Sequence, residues 1–235
     1  MVTNSITFNG VNSLVNGLYV SGSRTFNSAE KDYTKVSVPG RSGDLLIFNN
    51  RYKNVEVVYD AIVIDDYANR TEDIRAWLLS ANGYCRLEDT YHPNEFRMAS
   101  FSGPIDFDTV MLEAGATELT FDCKPQRWLK IGEVPIIIEA SEQTITNPTL
   151  FQAKPLIRVY GAGVIGIGNS SITVLTAGAN YIDIDCDTQN CYEGTSNKNY
   201  QVEISKWPIL QPGPNTISFE GGITKVQIIP RWWTL

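Results

Sequence analysis

The sequence predicts an all-β protein that contains one short helix. Most of the chain consists of short apolar or alternating runs separated by Gly, Asn and Pro, which is the pattern of strands in a barrel or sandwich. Only one stretch has the apolar spacing that a helix requires. Because the 235 residues exceed the roughly 100–150 of a typical domain, we expect two domains, residues 1–130 and 131–235.

The first domain is expected to hold six strands and the helix. The strands are predicted at residues 11–20, 33–38, 55–64, 84–88, 95–101 and 119–123. Ile74, Trp77 and Leu78 have the spacing that places three side chains on one helix face. Asn69 stands three residues before a glutamate, which is the pattern of a capping box. We therefore expect the helix to be capped by Asn69 and to end near Gly83.

The second domain is expected to be an antiparallel sandwich. Residues 124–132 concentrate charge around a proline, and we interpret them as the linker. Strands are predicted beyond it at residues 135–140, 155–160, 171–175, 181–185, 200–204, 216–220 and 223–229. The last two are separated only by Gly221 and Gly222, and glycine readily adopts the positive φ angles of a two-residue turn. The sequence thus predicts a hairpin there.

Charge and composition exclude several classes of protein. Acidic residues outnumber basic ones by 26 to 19, and a net charge of −7 disfavours binding to phosphate backbones. No stretch approaches the roughly 20 apolar residues that span a bilayer, and the first ten residues lack the features of a signal peptide. We expect a protein made in the cytoplasm, without membrane association.

The four cysteines are too few for a disulfide scaffold in a chain of this length, so free thiols are expected. Cys186 and Cys191 are close in sequence, and a turn between them would bring their sulfurs together. A bridge between these two therefore stays open if the mature object lives in an oxidising medium.

Residues 161–166 match the GxGxxG pattern of dinucleotide-binding proteins, and Asp183 follows about 20 residues later. That motif needs a helix whose N-terminal amides hold a pyrophosphate. Here the β-branched Ile172 and Thr173 follow, so a helix is not expected. We interpret the motif as a glycine-rich turn between two antiparallel strands, and no cofactor is expected.

Asp183, Asp185 and Asp187 alternate with apolar residues, so in a strand the three carboxylates share one face. Calcium binding is one interpretation. The EF-hand pattern fails, because Thr188 holds its glycine position and Gly194 its glutamate position. We expect a solvated strand face that ends in a turn, and no metal site.

Catalysis has few candidates. His92 is the only histidine and lies in a polar stretch before a proline, so we expect an exposed turn residue. No nucleophile elbow, P-loop or zinc-finger spacing is present. Carboxylate pairs for glycoside hydrolysis stay open, since only their separation in space decides them. No catalytic residue is assigned.

Trp232 and Trp233 are adjacent near the end of the chain, and adjacent residues of an extended segment point to opposite sides. One ring is therefore expected to be buried and the other exposed. The exposed indole fits a protein contact or packing beneath a sheet, with a sugar platform as the alternative.

Segments of both halves together resemble the distal tail protein (Dit) family of long-tailed, siphovirus-type bacteriophages. The resemblance covers nearly the whole chain, and the run Pro-Gly-Arg-x-Gly-Asp is its most specific part. It rests on FNG at residues 8–10, VPGRSGDL at 38–45, IRAWL at 74–78, NPT at 147–149, AKPLIRVYG at 153–161, LQPGPNTI at 210–217 and IPRW at 229–232.

The resemblance implies an N-terminal split β-barrel domain that closes a hexameric ring and a C-terminal galectin-like β-sandwich that projects outward. It implies a place at the phage tail tip, assembled in the host bacterial cytoplasm. The partners would be further copies of the chain, the tail tube protein, and a tail-tip protein, tail-associated lysin or receptor-binding protein, with DNA only in transit. Family members with an inserted glycan-binding module are longer, and this chain shows no room for one.

We expect the contacts between subunits to lie on the first domain. A hairpin at residues 19–38 would embrace a neighbour by edge pairing. Tyr33, Arg41 and Asp44 are the predicted interface residues, and the guanidinium of Arg41 would reach a neighbouring carboxylate, with a local turn contact as the alternative. Two other functions stay open, a glycan-binding, lectin-like protein of host attachment and a polysaccharide hydrolase.

Overall fold

The computed structural model describes residues 3–21, 27–64, 66–111, 114–177 and 180–235, apart from the side chains of residues 109–111. The chain divides into two compact units, a first unit of residues 1–127 with Leu235 and a second unit of residues 128–234. The division falls inside a strand. Much of the predicted linker therefore has regular structure, as the end of that strand and as a 3-10 turn at Lys130–Glu133.

The first unit is built on one large sheet. Its strands are β1 (Ile6–Phe8), β2 (Val11–Asn12), β3 (Leu18–Ser21), β4 (Lys31–Val36), β5 (Leu45–Tyr52), β6 (Val55–Ile64), β7 (Cys85–Asp89), β8 (Glu95–Ser100), β9 (Asp108–Met111) and β10 (Ala114–Leu129). The order in the sheet is β2-β1-β7-β8-β10-β6-β3, and β9 also pairs with β10. Strands β4 and β5 form a separate two-stranded sheet.

Alternating burial along the strands shows which face of the large sheet packs on the core. Along β6 every second residue from Val55 to Val63 is buried, as expected for a strand with one face on a core. The core gathers the inward face of the sheet and one face of the helix α1 (Tyr67–Ser80). Phe8 and Phe121 meet at its centre edge to face, 5.2 Å apart.

The predicted helix is confirmed, but its predicted cap is wrong. Ile74 and Leu78 are fully buried, as their spacing predicted. The helix begins at Tyr67, earlier than the capping box indicated, because the hydroxyl of Tyr67 donates to the carbonyl of Phe107 and fixes the first turn. Asn69 thus lies inside the helix and donates its amide to the Asp66 carboxylate.

The second unit is a sandwich of two sheets. Its strands are β11 (Ile136–Ile138), β12 (Gln143–Asn147), β13 (Leu156–Tyr160), β14 (Gly163–Ile167), β15 (Ser170–Val174), β16 (Ile182–Asp185), β17 (Asn190–Glu193), β18 (Ser196–Asn197), β19 (Val202–Ile204), β20 (Gly213–Gly221), β21 (Lys225–Ile229) and β22 (Trp233–Thr234). One sheet has the order β11-β21-β13-β16-β17-β18 and the other β12-β20-β14-β15-β19, whereas β22 belongs to neither and pairs with β10. Isoleucines and valines of both sheets form one buried cluster between them. The predicted all-β class with one α-helix is confirmed.

Both glycine-rich segments join strands of different sheets, so two local predictions are wrong. Strands β20 and β21, expected to pair as a hairpin around Gly221 and Gly222, lie in opposite sheets. The GxGxxG segment was expected to be a turn between two antiparallel strands, but only Gly161 and Ala162 form a turn, which carries the chain from β13 in one sheet to β14 in the other. Residues 163–166 of the motif belong to β14 itself. The two glycine-rich connections pack together, and the amide of Gly222 donates to the carbonyl of Ala162 at 2.7 Å.

We expect Gly161→Ala to destabilise the second unit strongly. Gly161 has a φ of +107°, and an added Cβ would lie 2.1 Å from the carbonyl oxygen of Gly222. Backbone strain of this kind alone costs about 1–3 kcal/mol, and the clash adds to it. Gly168→Ala is the matched control, since Gly168 also has a positive φ but open space around it. Equal free energies of unfolding for the two variants would contradict the close packing of Gly161 against Gly222.

Among the described residues, the one α-helix is too short and too polar to cross a membrane.

Candidate assembly surface

A two-stranded ribbon stands apart from the core of the first unit. We call residues 31–52, which comprise β4, β5 and the turn between them, the arm. In the described part of the chain these strands pair only with each other. The hairpin predicted at residues 19–38 is therefore displaced along the chain, because β3 pairs with β6; residues 22–26 of that prediction lie outside the described residues.

The arm exposes an apolar run on both of its faces. Leu45, Leu46, Ile47 and Phe48 are 38–56% exposed, although successive strand residues point to opposite sides. A continuous run of this kind is typical of a strand covered on both faces. Since an isolated two-stranded ribbon is marginally stable in water, the arm has the character of a surface that a partner covers.

The three predicted interface residues all lie on the arm. Tyr33 is in β4, 42% exposed, and its ring lies 5.4 Å from that of Phe48. Arg41 and Asp44 are exposed in the turn, where the Arg41 amide donates to the carbonyl of Val38. Sequence reasoning missed Leu46, Ile47 and Phe48, although the run LLIF between a turn and an Asn-rich stretch was a usable strand signal.

His92 lies in a small polar cluster beside a cleft of about 110 Å³. Asp89 accepts hydrogen bonds from the hydroxyl of Tyr59 at 2.8 Å and the amide of His92 at 2.6 Å, and the His92 Nδ1 lies 3.1 Å away. Burial, together with Asp89, raises the pKa of Tyr59, so the phenol stays a hydrogen-bond donor. The cluster fixes the turn after β7. His92 is a turn residue as predicted, but it is half-buried rather than exposed.

The solvated acidic face predicted for β16 is wrong. Asp183 and Asp185 are 3% and 6% exposed, and each is held by two hydrogen bonds from an arginine. Arg158 binds Asp183 at 2.7 and 2.9 Å, and Arg231 binds Asp185 at 2.7 and 3.1 Å. Bidentate pairing compensates the cost of burying the carboxylates. Among the described residues no His, Cys, Asp or Glu side chains are grouped as a metal site.

One of the two adjacent tryptophans was expected to be buried and the other exposed, but both rings pack against the core of the second unit. Trp232 is 3% exposed and belongs to the sandwich core, so it is not an exposed contact. Trp233 is half-buried and stacks on Phe151 at 4.5 Å, and its indole N–H donates to the carbonyl of Gln152. The second ring thus packs against its own unit.

The outer face of the sheet that holds β13 carries tyrosines beside polar groups, the arrangement that a lectin would use. The rings of Tyr160 and Tyr181 lie 6.1 Å apart. The Lys225 ammonium sits 4.2 Å from the Tyr160 ring and the Arg158 guanidinium 3.9 Å from the Tyr181 ring. One face of each ring is therefore already covered by a cation of the same unit.

The cysteines are separate thiols, and three of them are buried. Burial raises the pKa of Cys123 and Cys186 to about 12 and that of Cys191 to about 11. Because the thiolate is the reactive form, these three are poor nucleophiles at neutral pH. Cys85 is partly exposed.

We expect one cysteine of the folded protein to react rapidly with Ellman's reagent at pH 8 and the other three to react only after unfolding. Exposure favours Cys85, whereas the other three thiols are buried and burial raises their pKa. Absorbance of the released thiolate counts the reactive groups, and Cys85→Ser should remove the rapid phase. Rapid release from that variant would contradict the burial of the other three.

Comparison with known proteins identifies the fold. No protein family and no curated protein sequence matches the chain. Among solved structures, the chain is similar to the Dit protein of phage SPP1, described as a paradigm of the hub of the adsorption apparatus in phages that infect Gram-positive bacteria. The TM-score is 0.76 over 100% of both chains, with 16% sequence identity. The chain therefore has the fold of the SPP1 Dit protein, along its whole length.

Proposed function

We propose that the chain is a structural, non-enzymatic component of a phage tail, the hub of its distal end. The proposal joins two observations, a full-length likeness to a hub protein of a phage adsorption apparatus and an arm whose apolar side chains lie in solvent in a single copy. The arm is the main structural support for this proposal, because it gives the chain a surface for assembly. The polar cluster around His92 stabilises the turn after β7. The buried carboxylates of Asp183 and Asp185 are paired with arginines.

The assembled form that we propose is a homohexameric ring at the tail tip. In a closed ring each subunit presents two different patches to its neighbours, and the arm supplies one of them. The free edges of β4 and β5 also offer backbone groups for pairing with an adjacent subunit. The ring would link the tail tube to a tail-tip or receptor-binding protein, after assembly in the host bacterial cytoplasm.

DNA would pass through the ring without being held. The net charge of −7 favours repulsion of phosphates over binding. We therefore expect the protein to bind duplex DNA no more tightly than a protein that makes no phosphate contacts.

Immunolabelling of virions tests the proposed location. Antibodies against the chain should decorate the distal end of the tail in electron micrographs of the phage that encodes it, at the junction of tube and tip. A label on the capsid, or virions that lack the chain by mass spectrometry, would overturn the proposal.

A further inference from the structure

The outer face of the first sheet carries an open cleft lined by acids. Its volume is about 780 Å³. Asp60 on β6 and Glu118 on β10 line it, together with Asp106, which precedes β9, and Asp108, which begins β9. Ile62, two alanines and a proline contribute apolar groups, and a serine and two threonines contribute hydroxyls. The cleft thus combines apolar surface with four negative charges.

The acids of this cleft oppose one another within the subunit. Asp60 and Glu118 are direct cross-strand partners, and both are exposed. Like charges in this position destabilise a sheet. In the described part of the chain none of the four cleft acids takes part in an ion pair. A single copy therefore holds unfavourable charge that a positively charged partner would relieve.

The arm has the complementary character. Residues 31–52 contain four Lys or Arg and two Asp, although the whole chain has a net charge of −7. Arg51 already pairs with Asp32, whereas Lys35 and Arg41 are exposed and, among the described ion pairs, have no acidic partner. Lys35 is the cross-strand partner of Leu46, so a positive charge and an apolar side chain share one face of the arm.

We propose that this acidic cleft is the acceptor for the arm of a neighbouring copy. Lys35 and Arg41 would lie against Asp60 and Glu118, while Leu46 covers Ile62 and the other apolar groups of the cleft. The arm of the same chain does not line the cleft, so the occupant comes from a second copy. Such a contact between two different patches is head to tail, which is the kind that closes a ring. The inference rests on the proposed function and names the surface that it uses.

A charge swap tests the pairing. Light scattering on the full-length chain should show the assembled mass for the wild type. Asp60→Lys with Glu118→Lys, or Lys35→Glu with Arg41→Glu, should raise the concentration needed for assembly by about tenfold or more, because like charges then meet. All four substitutions in one chain should restore assembly. Each variant keeps or exchanges exposed charges only, so its circular dichroism should match the wild type.

The second acidic pair of the same face is the matched control. Glu56 and Asp122 are also direct cross-strand partners, but they lie outside the cleft. Glu56→Lys with Asp122→Lys should assemble like the wild type. The inference is overturned if the Asp60→Lys, Glu118→Lys variant also assembles like the wild type, which is the result expected for an acidic face left open towards DNA. It is also overturned if the chain with all four substitutions needs as high a concentration to assemble as either pair alone. A monomeric wild type would instead overturn the proposed function.

Discussion

Leu46→Glu combined with Ile47→Glu should abolish assembly and leave a folded monomer. The two side chains lie on opposite faces of the arm and are 56% and 47% exposed in the single subunit. Burying an unpaired carboxylate at an interface is costly, and each lost apolar side chain removes up to about half of the roughly 1.5–3 kcal/mol that full burial contributes, because about half of its surface is exposed before assembly. Light scattering should therefore give the 26.2 kDa mass of one chain.

The stability of the monomer should barely change in this variant. Neither side chain belongs to the core of the first unit. Substitutions of surface residues outside a core usually change the free energy of unfolding by no more than about 0.5 kcal/mol. Leu150→Glu is the control, because Leu150 is 88% exposed and lies in the second unit. That control should assemble normally. An arm variant that still forms the wild-type assembly would show that the arm is not the interface.

Arg231→Met should destabilise the second unit by about 3 kcal/mol. The substitution leaves the Asp185 carboxylate buried without its cation, and loss of one partner of a buried pair costs about 3–5 kcal/mol. We expect the lower end, because the Arg231 side chain keeps 28% exposure. Denaturation followed by tryptophan fluorescence suits the test, since four of the five tryptophans lie in the second unit.

The pair of Lys154 and Asp187 provides the control, because its side chains are 54% and 57% exposed. Exposed pairs contribute about 0–1 kcal/mol, so Lys154→Met should be nearly neutral. Similar losses for the two variants would contradict the assignment of Asp185 and Arg231 as a stabilising buried pair.

Acid should reduce the difference in the free energy of unfolding between the wild type and Arg231→Met. Burial alone would raise the pKa of Asp185, but hydrogen bonds from Arg231 and from the amides of Asp187 and Thr188 hold it below its usual value. A depressed native pKa stabilises the fold above the unfolded value of about 3.9 and ceases to do so as the pH falls through the native pKa. The difference should be full at pH 7 and shrink as the pH falls, first through the pKa of the unpaired Asp185 carboxyl in the variant, which burial raises, and then down to the lowered pKa in the wild type. A difference that grows on acidification would contradict the pairing.

Periodicity predicted the elements that pack on their own unit. The spacing of Ile74 and Leu78 identified the helix, and the alternation from Val55 to Val63 identified β6, because both patterns reflect burial within one subunit. The β5 strand was missed. Its apolar residues Leu46 and Ile47 follow neither period, since the strand has no core of its own to face.

Local turn chemistry was a poorer guide. Gly221 and Gly222 satisfy the demands of a hairpin, yet the strands on either side join opposite sheets. The glycines are needed for the close approach to Gly161 and Ala162, a tertiary contact without a local signal.

The buried acids were misread for a related reason. Asp183 and Asp185 have the alternation of a solvated face, and only the positions of Arg158 and Arg231, distant in sequence, allow them to be buried. The acidic cleft was missed as well, since the pairing of Asp60 with Glu118 depends on the register of two strands far apart in the chain.

The central claim is that the chain works by assembling with copies of itself, and its mass in solution tests this most directly. Multi-angle light scattering of the purified full-length protein should give six times the 26.2 kDa of one chain over a range of concentrations, and electron micrographs should show rings with an open centre. A mass of 26.2 kDa that persists at the highest concentration would contradict the account.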